Sequence, residues 1–140
     1  MKLSVESRYA LAALTYLARQ PPGTIVEAGV IAERAGLPPA FLSKIFAKLA
    51  RHGQVLSHRG RERGYELATT PEGTSVRRIL EAIDGPDVLT RCVFWGEACS
   101  DADPCPLHHT WAGLKPRIER AMEQTTLADV VAQGAVRPPR

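Results

Sequence analysis

Residues 31–55, IAERAGLPPAFLSKIFAKLARHGQV, are the part of the sequence that decides the fold. Gly36 favours the left-handed conformation that ends many helices, and Pro38 and Pro39 suit the first turn of a new helix, where a missing N–H costs nothing. The apolar side chains that predict the first helix are Val26, Val30, Ile31 and Ala35. The stretch therefore predicts a short helix, a tight glycine turn and a second helix.

The second helix has two faces of different chemistry. Phe41, Leu42, Ile45 and Leu49 recur at helical spacing and predict its buried side. The opposite face is small, polar and basic, and consists of Ala40, Ser43, Lys44 and Ala47, with Lys48 at its flank. A short helix, a glycine turn and a helix with such an outer face are typical of the DNA-binding helix-turn-helix.

The next segment, residues 55–68, predicts a β-hairpin, because two short alternating runs flank a glycine-bearing turn. A hairpin directly after a helix-turn-helix is a wing. Its tip carries Arg59, Arg61 and Arg63. Arginines on a thin hairpin beside a basic helix can enter a minor groove or bind phosphates, whereas the simpler interpretation is an exposed charged turn.

Charge is distributed unevenly along the chain. Residues 1–64 hold ten Lys and Arg against four Asp and Glu, a net charge of +6, and residues 65–140 hold eight against eleven, a net charge of −3. A basic first half indicates a polyanionic partner, although a solvated charged surface has the same composition. Together with the helix and the wing, the asymmetry predicts that residues 1–70, including an N-terminal helix, bind double-stranded DNA.

The N-terminal helix is predicted to be buried on both faces. One stripe at helical spacing consists of Val5, Tyr9, Ala12, Ala13 and Tyr16, and Leu11 and Leu14 lie on the other side. After the wing, Thr74 or Ser75 can cap a helix that ends before Gly85, and Thr126 can cap a last short helix.

A long amphipathic helix near the C-terminus predicts a homodimer. Its stripe consists of Trp111, Leu114, Ile118 and Met122, and Pro116 is expected to kink the helix or delay its start. A symmetric dimer would cover this stripe and present two recognition helices to a pseudo-palindromic operator. We assign residues 71–135 to dimerisation, with a cysteine-rich loop at 91–109, and 136–140 to a disordered tail. The fold class is mainly α with a small β-hairpin wing.

The sequence favours a cytoplasmic protein with no membrane partner. No apolar run is long enough to span a bilayer, and residues 9–18 lack the cleavage site of a signal peptide. Three cysteines cannot all pair within one chain, so a reducing compartment is expected.

All three cysteines lie in the 91–109 loop, RCVFWGEACSDADPCPLHH. The spacing C-x6-C-x5-C-x2-H from Cys92 through Cys99 and Cys105 to His108 offers four ligands to one metal centre. Unrelated thiols would scatter through the core, and a redox pair would favour C-x-x-C. Structural zinc accepts this ligand set but usually has a closer first pair, and iron–sulfur clusters combine thiolates with histidine. The spacing alone leaves zinc and an iron–sulfur cluster open.

Over nearly its whole length the sequence resembles the Rrf2 family of bacterial winged-helix regulators. The resemblance lies in the opening MKLSVESRYALAAL, the helix-turn-helix, the wing segment RGRERGYELA and the closing TTLADVV. The cysteine loop stands where cluster-binding members carry theirs. The resemblance implies a homodimer that binds DNA under the control of an iron–sulfur cluster, and hence a regulator rather than an enzyme.

The ligand pattern is most similar to the IscR-like branch, which implies a 2Fe–2S cluster on Cys92, Cys99, Cys105 and His108. Such a cluster would sense redox state, iron–sulfur status or nitric oxide, with structural zinc or direct thiol sensing as alternatives. NsrR-like members use an acid near position 8 of the partner chain for a 4Fe–4S cluster. Position 8 here is Arg8, which cannot be a ligand, although Glu6 is close by.

The predicted DNA contacts combine the residue pattern with the resemblance. They are Arg8, Tyr9, Ala40, Ser43, Lys44, Lys48, Arg59, Arg61 and Arg63. Ser43 stands where IscR-like proteins have a glutamate that reads DNA, and is the residue expected to contact bases. His109 is expected to be solvated, or to contact a ligand from outside the metal site, because it points about 100° away from His108 on a helix.

Overall fold

The computed structural model describes residues 1–134 and Val136. Its elements in chain order are α1 (Val5–Ala18), α2 (Ala28–Ala35), α3 (Pro39–Arg51), β1 (Val55–His58), β2 (Gly64–Leu67), a 3-10 turn (Pro71–Gly73), α4 (Val76–Asp84), α5 (His108–Gln124) and α6 (Leu127–Gln133). The predicted mainly α fold with one hairpin is confirmed. The predicted tail at 136–140 lies outside the described residues except for Val136, which is half-buried against the main core.

The helix-turn-helix begins and ends where the glycine and prolines predict. Gly36 ends α2 in the left-handed conformation with φ 72°, and Pro38 caps α3, which starts at Pro39. The predicted apolar side of α2 is partly wrong. Val26 precedes the helix because its backbone pairs with Tyr65, and Val30 is exposed, so α2 buries Ile31 and Ala32 instead.

Recognition helix α3 buries Leu42, Ile45 and Leu49 as predicted. Phe41 was wrongly placed in the core, since it is 39% exposed and packs its ring 5.4 Å from that of Tyr9. The fourth core position is taken by Phe46, which lies one helical turn after Leu42 and is therefore on the buried side. Phe41 precedes Leu42 by one residue and so lies at the edge of the helix.

Strands β1 and β2 form an antiparallel hairpin, with Val55 opposite Leu67 and His58 opposite Gly64. On its other edge β2 forms an isolated bridge from Tyr65 to Val26. Gly64 has φ 145°, and a Cβ there would lie 2.3 Å from the carbonyl oxygen of Val26. Only glycine therefore allows the wing to pack this closely on the segment before α2.

One main core joins the helix-turn-helix to the elements after the wing. Ile79 and Ile83 of α4 and Leu127 of α6 are buried in it with side chains of α1, α2, α3 and β1. The N-terminal helix is buried on both faces as predicted, although Val5 at its start is exposed. The boundary at residue 70 stays a prediction, since α4 and α6 complete the core of the DNA-binding region.

Helix α5 starts at His108 and continues through Pro116, so the proline does not delay its start. Trp111 is buried, whereas Leu114 is 45% exposed and Met122 is half-buried. The outward part of this stripe is consistent with the predicted dimer contact. No helix of the described residues is long and apolar enough to cross a membrane.

Candidate DNA-binding surface and cysteine loop

The outer face of α3 is open to solvent. Ala40, Ser43, Lys44 and Ala47 are all exposed, as the two-faced pattern of this helix predicts. Small side chains beside Ser43 let the helix approach a groove closely, and the hydroxyl can donate to or accept from a base edge. The structure therefore places the predicted base-reading residue on an accessible surface, and its contact with DNA stays a prediction.

The two lysines of α3 share one carboxylate, which sequence reasoning did not anticipate as their partner. Lys44 Nζ lies 2.6 Å from Glu6 Oε1, and Lys48 Nζ lies 2.6 Å from Glu6 Oε2. Hydrogen bonds from Lys44 and Lys48 hold the pKa of Glu6 below its usual value of 4.5. No local pattern could reveal this contact, because Glu6 is 38 residues from Lys44 along the chain.

The wing presents its arginines without internal partners. Arg59, Arg61 and Arg63 are exposed, and none of them forms an ion pair within the part of the chain that the structure describes. A hydrogen bond of the hairpin joins His58 Nε2 and Glu66 Oε1 at 2.7 Å, below the tip. The three guanidinium groups are therefore free to bind phosphates, as predicted for a wing.

The start of α1 lies beside the recognition helix. Tyr9 is half-buried against Phe41, which places it at the rim of the α3 surface, and Arg8 is exposed next to it in the chain. Asp84, the last residue of α4, fixes this start. Its Oδ2 accepts hydrogen bonds from Ser4 N at 3.0 Å and from Ser7 Oγ at 2.7 Å. The C-terminal end of α4 thus holds the residues that flank the DNA-binding surface.

The four predicted ligands line one cavity of about 280 Å³. Cys92 and His108 are buried, and Cys99 and Cys105 are half-buried. Among the described residues, no three His, Cys, Asp or Glu side chains stand close enough together to bind a single metal ion. The loop therefore brings the four donors around a shared space without converging them on one point.

Cys92 sits in a tight turn that favours its thiolate. Gly96 N donates to Cys92 O at 2.8 Å, and Cys92 N donates to Glu97 O at 2.7 Å. The backbone N–H groups of Trp95 and Phe94 donate to the Cys92 sulfur and lower the pKa of the thiol. Such bonds to sulfur also tune metal-bound thiolates.

Cys99 has the opposite tendency, since burial and the neighbouring Cys92 thiolate raise the pKa of its thiol. Hydrogen bonding with the Cys92 side chain raises the pKa of the Cys99 thiol in the same direction. Cys92 is therefore the thiol that ionises first in this pair, and ionisation of one disfavours ionisation of the other.

His108 begins α5 and is oriented by a carboxylate. Its Nε2 lies 2.8 Å from Asp101 Oδ1, and its backbone N donates to Cys105 O at 3.0 Å. An outer hydrogen bond of this kind orients the imidazole of a metal ligand. His109 is exposed, as predicted, and its ring lies edge-on to that of His108 at 5.4 Å.

The chemistry of the donor set fits an iron–sulfur cluster. Three thiols and one imidazole are ligands that clusters accept, and one thiol already receives two backbone N–H groups. A single zinc ion would need all four donors at about 2.0–2.3 Å from one point. The four side chains line one cavity and do not converge on one point within the described residues.

The fold and these two sites define a winged helix-turn-helix protein with a cysteine-rich loop between α4 and α5. The chain belongs to the Rrf2 family, because the family model described as an iron-dependent transcriptional regulator matches residues 3–133. It is therefore a transcriptional regulator of this family.

Known relatives agree with this assignment. A Mycobacterium tuberculosis protein, named as a helix-turn-helix transcriptional regulator, is 38% identical over 97% of this chain and 84% of its own. IscR of Yersinia enterocolitica is 32% identical over 94% of this chain and 79% of its own. The solved structure of T. potens IscR has a TM-score of 0.75 at 28% identity and covers 95% of this chain and 88% of its own.

Proposed function

We propose that this regulator binds DNA under the control of an iron–sulfur cluster, with 2Fe–2S favoured, held by Cys92, Cys99, Cys105 and His108. The observation that carries the proposal is the single cavity that these four side chains line. The similarity to proteins named IscR supports it. The protein would act as a switch in DNA binding and not as an enzyme, as a homodimer in the bacterial cytoplasm.

The contacts of Glu6 favour four ligands from one chain. Both of its carboxylate oxygens are bound by lysines at 2.6 Å. An acid ligand for a 4Fe–4S cluster, supplied from this part of a partner chain, would have to give up both pairs. Arg8 is a cation and cannot replace it. The four donors of the loop are already sufficient for a 2Fe–2S cluster.

When bound, the cluster would supply a centre that responds to redox state, to iron–sulfur status or to nitric oxide. Cys92 and His108 place the two ends of the loop at that centre. The segment before Cys92 continues directly from α4, and the last residues of α4 form hydrogen bonds with the DNA-binding region. Asp84 accepts from Ser4 and Ser7, and Ile83 O accepts from Lys48 Nζ at 3.3 Å. A change in the loop can therefore reach α1 and α3 through one helix end.

The two states need only a modest difference in DNA affinity to act as a switch. Coupling free energies between sites are typically about 1–3 kcal/mol, or roughly 5–150-fold in affinity. The contacts of Asp84 and Lys48 are of this order, because a hydrogen bond to a charged group contributes about 1.5–3 kcal/mol.

Direct thiol sensing is a second candidate, supported by the Cys92 and Cys99 pair. The lowered pKa of Cys92 makes its thiolate more available, and Cys99 is next to it. A sensor of this kind would need no metal and would respond to an oxidant by joining the two sulfurs. The half-buried Cys105 and the oriented His108 would then have no part in sensing.

The test is the visible spectrum of anaerobically purified protein, with iron, acid-labile sulfide and zinc measured on the same sample. A red-brown protein with equal iron and sulfide supports the cluster, and the band shape distinguishes 2Fe–2S from 4Fe–4S. A colourless protein with one zinc per chain would make the loop a structural support. A metal-free protein whose DNA binding changes on oxidation would favour thiol sensing.

Two neighbouring histidines provide a matched pair of variants. His108→Ala should weaken or alter the cluster spectrum, because His108 lines the cavity, whereas His109→Ala should leave it unchanged. Cys92→Ala should abolish the cluster and leave a folded dimer, as judged by circular dichroism and light scattering. A Cys92→Ala protein that kept the wild-type spectrum would refute the ligand assignment.

A further inference from the structure

We propose that Glu6 is a positioning residue for DNA recognition. Its carboxylate withholds Lys44 from phosphate and anchors Lys48 against α4. On binding, Lys44 moves from Glu6 to a DNA phosphate, while Lys48 stays in place. The proposal rests on DNA binding by the family and goes beyond it, because it assigns different roles to the two lysines of the recognition helix.

The geometry of the Glu6 carboxylate shows how one acid can hold both lysines of α3 in the free protein. Glu6 is the second residue of α1, and its side chain is only 16% exposed because it lies against α3. Each oxygen binds a different lysine at the same distance of 2.6 Å. In the free protein the basic face of α3 is therefore partly neutralised from within.

The surroundings of the two lysines indicate which of them can leave Glu6 when DNA binds. Lys48 is 28% exposed and also donates to the carbonyl oxygen of Ile83 at 3.3 Å. Lys44 is 64% exposed, and Glu6 is the partner that the structure records for it. A phosphate that approaches α3 can reach Lys44 easily, whereas it would have to break two contacts to free Lys48. Lys44 is thus the lysine that exchanges partners.

The exchange replaces one ion pair by another, so its effect on affinity is modest. Ion pairs that are open to solvent on one side, as this one is at Lys44, contribute little, and we expect Glu6 to lower DNA affinity about two- to fivefold. It should also change the salt dependence. DNA binding releases counterions for each phosphate that is newly neutralised. Salt weakens the Glu6–Lys44 pair and so offsets part of this effect, which should reduce the slope by up to about one charge.

The experiment measures fluorescence anisotropy of a labelled duplex of mixed sequence over a series of KCl concentrations. Glu6→Gln should raise affinity about two- to fivefold and steepen the salt slope by up to about one. Glu6→Asp keeps the charge but is one methylene shorter, so it cannot hold both lysines and should shift in the same direction. Thermal unfolding of each variant confirms that it is folded, and Glu6→Asp carries the test if Glu6→Gln unfolds.

Glu33→Gln is the matched control, because Glu33 is an exposed carboxylate on α2 with no ion pair within the described residues. It reports the general effect of removing one negative charge and should raise affinity less than Glu6→Gln. In a Lys44→Ala background, Glu6→Gln should raise DNA affinity by no more than Glu33→Gln does. This double-mutant comparison isolates the Glu6–Lys44 contact.

Two results would overturn the proposal while leaving DNA binding intact. One is equal affinity and equal salt slope for Glu6→Gln and Glu33→Gln, which would reduce Glu6 to a general charge. The other is weaker DNA binding by a folded Glu6→Gln protein, since Glu6 would then be holding Lys44 in its productive position. If the wild type bound no duplex at all, the DNA-binding function itself would fail as well.

Discussion

Replacing Asp84 by alanine should loosen the point where α4, α1 and the approach to the cysteine loop meet. Asp84 Oδ2 accepts from Ser7 Oγ at 2.7 Å and from Ser4 N at 3.0 Å. Ser7 is completely buried, so its hydroxyl would lose its acceptor without gaining water. The substitution removes two hydrogen bonds to a charged group and leaves at least one buried donor unpaired.

The cost can be estimated from these contacts. Each hydrogen bond to a charged group contributes about 1.5–3 kcal/mol, and the lower value applies because Asp84 is only half-buried. We expect Asp84→Ala to lower the free energy of unfolding by about 2–4 kcal/mol. Asp84→Asn keeps an oxygen that can accept both bonds but loses the charge, and should cost about 1 kcal/mol. For a chain of this length, about 2–4 °C of melting temperature is lost per kcal/mol.

The assay is urea unfolding followed by circular dichroism, at one fixed protein concentration because a dimer's stability depends on it. Asp87→Ala is the matched control, since Asp87 pairs with Arg91 at 2.8 Å on the surface. An exposed pair of this kind contributes little to stability, because solvent and salt screen it. If Asp84→Ala were no less stable than Asp87→Ala, the argument from buried hydrogen bonds would be refuted.

The same variant also tests the proposed link between the loop and DNA. If α4 carries the coupling, Asp84→Asn should keep the cluster spectrum but reduce the difference in DNA affinity between loaded and cluster-free protein. Asp87→Asn should leave that difference as it is. If Asp84→Asn kept the wild-type difference in DNA affinity between loaded and cluster-free protein, the coupling would not pass through this residue.

Three other predictions follow from the same structure. Gly64→Ala should destabilise the protein by about 2–4 kcal/mol in urea unfolding, because the new Cβ would lie 2.3 Å from Val26 O, whereas Gly53→Ala meets open space and should cost about 1 kcal/mol. Arg59→Ala should weaken DNA binding and flatten its salt slope by about one charge, and an unchanged slope would mean that Arg59 does not touch phosphate. The lowered pKa of Glu6 means that its stabilising effect is complete above the usual value of 4.5 and is lost as the pH falls through the folded-state pKa. The stability difference between wild type and Glu6→Gln should therefore shrink in acid unfolding below that pH, and a constant difference would contradict the ion pairs.

The parts of the fold that the sequence predicts well depend on local signals. Gly36 and Pro39 define the turn between α2 and α3, because glycine adopts the left-handed conformation without strain and proline fixes its own φ. Two positions differ from the sequence prediction. Phe41 lies at the edge of α3, one residue before the buried Leu42, and Val26 precedes α2 because of a contact that no local pattern contains. The ring of Tyr9 covers Phe41 from another helix, and Tyr65 pairs with Val26 from another strand. The hydrophobicity of a side chain does not indicate which distant element it will contact in the folded protein.

The candidate sites show the same division. The wing arginines and the four predicted ligands of the loop are recognisable because their residue types cluster in short segments of the sequence. The side chains that contact His108 of the loop and the lysines of α3 are not recognisable in this way. Asp101 orients His108 across the loop, and Glu6 reaches α3 from the first helix. Charged partners of this kind are chosen by tertiary packing, so only the structure reveals them.

The short connection between α4 and Cys92 gives the proposed coupling a mechanical basis. Residues 85–91 are not a loose linker, because Val88 and Leu89 are buried with Val76 and Leu80 in a second apolar cluster. The backbone N–H of Arg91 also donates a hydrogen bond to Asp87 O at 3.0 Å. A packed segment transmits displacement, whereas a solvated one absorbs it. We therefore expect a rearrangement at Cys92 to displace the end of α4. That end forms hydrogen bonds with α1 and α3, so the displacement would reach the DNA-binding surface.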